Sequence, residues 1–158
     1  MPTMKSLAED FLAQKRIAVA GVSRSNDSSP ANLIYRKLRQ GSHEVFAVNP
    51  NSSEFKGDRC YPDLKSIPGG VDGVVIVTRP ETAEEIVQQC QEAGVSRVWM
   101  HRSFGQGSVS ETATEFCRQH GMTVIPGGCP MMYCDPPDWG HRCMRWALGV
   151  FGALPKAD

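Results

Sequence analysis

Two stretches of the sequence hold residue types that can do chemistry. The first is Gly21-Val22-Ser23, which closes the apolar run Arg16–Ala20 and opens the polar loop Arg24-Ser25-Asn26-Asp27-Ser28-Ser29. Glycine permits a sharp turn after a strand, and a helix starting beyond it aims backbone N–H groups and its positive dipole end at the same crevice. Those features suit a diphosphate. Ser23, Ser25, Asn26, Ser28, Ser29 and Asn32 add neutral donors, and Arg24 is the nearby cation. The segment GVSRSN has one glycine where the G-x-G-x-x-G fingerprint has three, so a plain strand-to-helix turn is the alternative reading. A second apolar run ends in Asn49-Pro50, where an NAD site carries an Asp or Glu for the ribose hydroxyls. NAD binding thereby loses its best supporting residue.

The second stretch is Gly127–Arg145, GGCPMMYCDPPDWGHRCMR. Cys129, Cys134, His141 and Cys143 follow the spacing Cys-x4-Cys-x6-His-x-Cys. Thiolates and an imidazole can make a tetrahedral zinc site, or the cysteines an iron–sulfur site, with Asp135 and Asp138 orienting His141. The spacing matches no standard finger or ribbon, and unpaired cysteine often packs as a small hydrophobe. Packing is therefore the expectation and no metal is assigned, with a reactive thiol and a metal site as alternatives. Cys90 and Cys117 fall on apolar helix stripes and read as core. No Ser-His-Asp arrangement, paired carboxylates or phosphate-binding lysine loop stands out, which favours a binding module over an enzyme.

These residues need a scaffold, and its pattern is regular. Short apolar runs at Arg16–Ala20, Val45–Val48, Val74–Val77, Arg97–Met100 and Met122–Ile125 stop at turn residues. Continuous apolarity implies strands covered on both faces, as in a parallel sheet. Between them lie helical stripes: Ala31, Ile34, Tyr35, Leu38; then Ala83, Ile86, Val87, Cys90; then Val109, Ala113, Phe116, Cys117, His120. Glycines 41, 94 and 121 close them. The expected fold is α/β, a Rossmann-like doubly wound five-stranded parallel sheet of order 3-2-1-4-5 with flanking helices. A leading helix is expected within residues 1–15. A Cys-rich loop and a trailing helix are expected within 126–158, with Met144, Ala147, Leu148 and Phe151 on one helix face. The connection Asn51–Gly70 is read as a loop with a short irregular helix. All 158 residues form one domain in this reading.

Composition bounds the partners. Hydrophobic residues make up 41% and charged residues 22%, and 17 basic residues balance 17 acidic ones. No uniform basic field exists to attract nucleic acid or an anionic membrane. No apolar run approaches a membrane span, and the N-terminus lacks the apolar core of a signal peptide. A cytoplasmic protein with free thiols is expected, and Trp139 and Trp146, with packing the default, are candidates for a lid or a homodimer surface.

Taken together, IAVAGVS (17–23), EVFAVNPNSSEFKGDRCYPDLKSIP (44–68), VDGVVIVTRPETAEEIV (71–87), GVSRVWMH (94–101) and the Cys-Pro-Met-Met run (129–132) resemble a known family. It is that of the stand-alone bacterial and archaeal CoA-binding proteins, whose domain is similar to the N-terminal domain of the succinyl-CoA synthetase α subunit. The resemblance implies CoA or acyl-CoA as cofactor, with the diphosphate on Gly21, Val22 and Ser23. It places the adenosine near Asn49, Pro50 and the Val77-Thr78-Arg79-Pro80 loop, and the pantetheine arm toward His101. Arg79 can then meet the 3′-phosphate or remain a solvated loop charge. Cys129 is placed to meet the pantetheine sulfur. The sequence departs from the family in lacking a basic residue deep in the first loop, and in carrying Met100-His101-Arg102 where a glutamine commonly follows the tryptophan motif. The function implied is a carrier, sensor or regulatory module. The alternatives are a small NAD(P)-binding oxidoreductase-like protein and a metal or redox protein using the terminal Cys/His cluster.

Overall fold

A computed structural model describes residues 2–103 and 105–134. Among these residues, four helices cover a seven-stranded sheet. In chain order the elements are α1 (Met4–Leu12), β1 (Arg16–Ala20), α2 (Pro30–Gln40), β2 (Glu44–Val48), β3 (Glu54–Phe55) and β4 (Asp58–Tyr61). There follow β5 (Gly73–Ile76), α3 (Pro80–Glu92), β6 (Arg97–Met100), α4 (Glu111–Gln119) and β7 (Thr123–Pro126). A single 3-10 turn, Pro130–Met132, follows β7. The sheet order is β3-β4-β2-β1-β5-β6-β7, and every pairing is parallel except β3 with β4.

Local chemistry sets the element ends. Thr3 caps α1 in a reciprocal pair with Ser6, Ser29 caps α2 ahead of Pro30, and Ser110 caps α4. Alternating side chains of the strands feed two cores. Ile17, Val19, Val75, Trp99 and Ile125 pack under α1 and α2. Ala18, Val74, Ile76, Val98 and Met100 pack under α3 and α4. Both faces being covered explains why the strands read as unbroken apolar runs. Trp99 is fully buried, edge-on to Phe11, and its indole N–H donates to the Gly127 carbonyl.

The sheet corrects the expected five strands and their order. The third apolar run, now β5, lies against β1, and β4 takes the place outside β2. Residues 58–61, read as part of an irregular connection, form that strand. They are reached by a tight hairpin in which Lys56 (φ 53) and Gly57 (φ 82) are both left-handed. Such a turn suits the twist of a two-stranded ribbon. The signal was hidden because β4 is short and polar at its start, and it needs no crossover helix. Among the described residues, no helix is long and apolar enough to cross a membrane. The expected trailing helix, with Trp139, Trp146 and its apolar stripe, lies outside the described residues.

Candidate functional site

The carboxyl ends of β1, β2, β5 and β6 open onto two adjoining clefts. Their border is set by Gly21, whose φ is +107° and whose absent Cβ would lie 2.0 Å from the Val77 carbonyl oxygen. Only glycine lets the exits of β1 and β5 pass this closely. The Gly21 N–H donates to the Val48 carbonyl, tying the same turn to β2.

The first cleft, about 550 Å³, is lined by Gly21, Val22, Ser23, Arg24 and Ser25 on one side and Asn49 and Asn51 on the other. Asn49 donates through Nδ2 to the Val22 carbonyl (2.8 Å), and its Oδ1 accepts from the Asn51 N–H. Asn32 is fully buried. Its Oδ1 accepts from the Ser23 N–H (2.8 Å), and its Nδ2 donates to the carbonyls of Ser23 and Asn26. Ser23 Oγ accepts from the N–H groups of Ser25 and Asn26. The loop is thus held in shape by its own polar side chains before any ligand arrives, which lowers the entropy lost on binding. Helix α2 begins only at Pro30, so this loop, rather than the helix start, borders the turn. Arg24 is exposed and makes no hydrogen bond or ion pair among the described residues. It is not the only cation at the loop: Lys56, from the β3–β4 turn, reaches Asp27, and Arg36 donates to the Asp27 carbonyl. Lys56 holds the Asp27 carboxyl below its usual range.

The second cleft, about 520 Å³, lies beyond β5 and β6. Val77, Thr78 and Arg79 form one edge. Buried Ser108 fixes that edge by donating to the Thr78 carbonyl (2.7 Å) and accepting from the Thr78 N–H (2.8 Å). Gly107 (φ +59°) is pressed so close that a Cβ would sit 2.5 Å from the His101 carbonyl oxygen. His101 is buried, with Ser103 Oγ 3.3 Å from its Nε2. Pro30, Leu33 and Met131 supply an apolar wall. Leu33, 37% exposed, is the exposed large hydrophobic residue of the described chain. Arg79 stands exposed at the start of α3, its guanidinium without a partner among the described residues. Cys129 also lines this cleft, but burial pushes its thiol up to about 12, so it is a neutral group at physiological pH.

Of the candidate residues, Gly21, Val22, Ser23, Arg24 and Asn49 meet in the first cleft, and Val77, Thr78, Arg79, His101 and Cys129 in the second. Asn32 lies behind the loop as its lock. Pro50 lines a neighbouring depression with Asn51, Arg59 and Pro62, and Pro80 opens α3. Sequence reasoning missed Leu33, Ser103 and Ser108. An apolar residue off the buried stripe of α2 was the signal for Leu33; the serines carry none. Among the described residues no three His, Cys, Asp or Glu side chains gather in a way that could hold a metal ion. His141, Cys143, Asp135 and Asp138 of the proposed metal set lie outside the described residues. Cys134 donates through Sγ to the Pro130 carbonyl.

Comparison with known proteins adds family to geometry. A family model described as "CoA binding domain" matches residues 15–135. The uncharacterized protein YneT of Bacillus subtilis is 28% identical over 128 residues, covering 81% of this chain and 91% of that one. The ADP-forming acetate–CoA ligase I of Archaeoglobus fulgidus is 37% identical over 127 residues, covering 77% of this chain but 18% of the ligase. A hypothetical protein from Pyrococcus horikoshii has the same fold, with a TM-score of 0.77 at 24% identity over 85% of this chain and 92% of that one.

Proposed function

The chain belongs to the CoA binding domain family, and from that premise we propose that it binds coenzyme A or one of its thioesters along the carboxyl edge of the sheet. One observation carries this reading: a polar cleft and a half-apolar cleft abut at the Gly21–Val77 contact. Coenzyme A has the same two-part character, a charged nucleotide diphosphate joined to a long arm of amides and methyl groups. In this reading the diphosphate lies on the pre-shaped loop of Gly21, Val22 and Ser23 beside Arg24. The adenosine rests near Asn49 and Pro50, and Arg79, on the edge of the second cleft, is assigned to the 3′-phosphate. The arm runs past Val77 and Thr78 toward His101 and Cys129.

The polar groups that line the two clefts hold loops in shape, which fits a carrier, sensor or regulatory module. The acetate–CoA ligase relative is several times longer than the matched segment, so its chemistry need not accompany the domain. Titration calorimetry with CoA, dephospho-CoA and NAD tests the reading. CoA is expected to bind at least about tenfold tighter than NAD, and Arg79→Ala to shrink the advantage of CoA over dephospho-CoA. Clear NAD binding with CoA no tighter than millimolar would overturn it.

A further inference from the structure

The end of the second cleft holds a polar arrangement that binding of the CoA arm alone does not require. His101 is buried, and its main chain is fixed on both sides: its N–H donates to the Ile76 carbonyl and its carbonyl accepts from the Ser108 N–H. Its ring Nε2 lies 3.3 Å from Ser103 Oγ. Cys129, held as a neutral thiol by burial, lies near Ser103. All three line the cleft, together with the apolar Leu33 and Met131.

We propose that the His101–Ser103 pair is a subsite for the carbonyl oxygen of an acyl thioester, so that acyl-CoA, rather than free CoA, is the preferred ligand. The proposal rests on the CoA reading above. When Nε2 carries the ring proton, it donates to the Ser103 oxygen and leaves the hydroxyl hydrogen free to turn. Among the described residues that hydrogen has no oxygen acceptor, and the nearby Cys129 sulfur is a weak one. An incoming carbonyl oxygen is a better acceptor, while the acyl chain lies on Leu33 and Met131. A free thiol offers neither a carbonyl acceptor nor apolar area, so it gains little from the same groups. The neutral state of Cys129 matters here, because a thiolate beside Ser103 would hold the hydroxyl proton and repel a thioester oxygen.

Calorimetry with three ligands tests this: CoA, butyryl-CoA and S-butyl-CoA, the thioether that keeps the chain and lacks the carbonyl. The expected result is butyryl-CoA binding about fivefold tighter than S-butyl-CoA, the gain from one hydrogen bond. In Ser103→Ala that difference is expected to vanish, whatever the change in affinity for CoA itself. His101→Phe, which keeps the backbone bonds, is expected to act in the same direction. Equal affinity of butyryl-CoA and S-butyl-CoA for the unaltered protein, or a difference that survives Ser103→Ala, would overturn the subsite while leaving CoA binding intact. Absence of binding by all three ligands would overturn the CoA reading, and the subsite with it.

Discussion

At the residue scale, the position with the least freedom is Gly21. A φ of +107° strains any side chain, and the Val77 carbonyl occupies the space a Cβ would need. Gly21→Ala is therefore expected to cost about 3 kcal/mol of stability, seen as a lowered midpoint in chemical denaturation. Gly21→Asp puts a larger side chain into the same space and disturbs the fold as well. Loss of binding in that variant would report distortion of the β1–β5 junction rather than exclusion of phosphate. The turn was legible from one glycine after an apolar run. Its reason was not, because Val77 lies far along the chain and meets Gly21 only once β5 has paired with β1.

At the scale of elements, the strands buried on both faces and the helices with glycine stops were readable, because burial and capping leave local marks. The β3–β4 hairpin left a fainter one. Its turn uses Lys56 in the left-handed region, where Asn or Gly is the usual residue, so Lys56-Gly57 does not announce a hairpin. That omission displaced the third run from beside β1 and gave the wrong order. The hairpin also carries Lys56 toward Asp27 in the first loop, so it braces the candidate site from outside the central sheet. Gly57→Val places a β-branched residue at φ 82° and is expected to lower stability by about 1–3 kcal/mol. It should also weaken CoA binding through the loosened loop. Thermal melts and calorimetry on the same variant check both. Unchanged affinity alongside a lowered melting point would mean that the brace does not matter to the loop.

At the scale of the molecule, the buried thiols tie stability to pH. Burial raises Cys117 to about 11 and Cys129 to about 12 from an ordinary 9.0, and moves Cys90 in the same direction. Above the ordinary value the unfolded chain releases thiol protons that the folded chain keeps, so stability falls with rising pH. This contribution is fully present below about pH 9 and is lost as pH rises through the folded values toward 12. Denaturation midpoints should be flat across neutral pH as far as these groups are concerned and decline above pH 9, less steeply in Cys129→Ala measured relative to its own neutral-pH value. The same burial keeps Cys129 a neutral thiol at physiological pH.

The central claim is that one ligand spans both clefts at the carboxyl edge of the sheet. Backbone amide shifts in a heteronuclear NMR titration with CoA test it most directly. The account predicts saturable shifts in two groups, at Gly21–Ser25 with Asn49 and Asn51, and at Val77–Arg79 with His101, Ser103 and Ser108. Shifts confined to the groove on the far side of the molecule, around Glu9, Lys37 and His43, or no shifts with CoA present in excess, would contradict it.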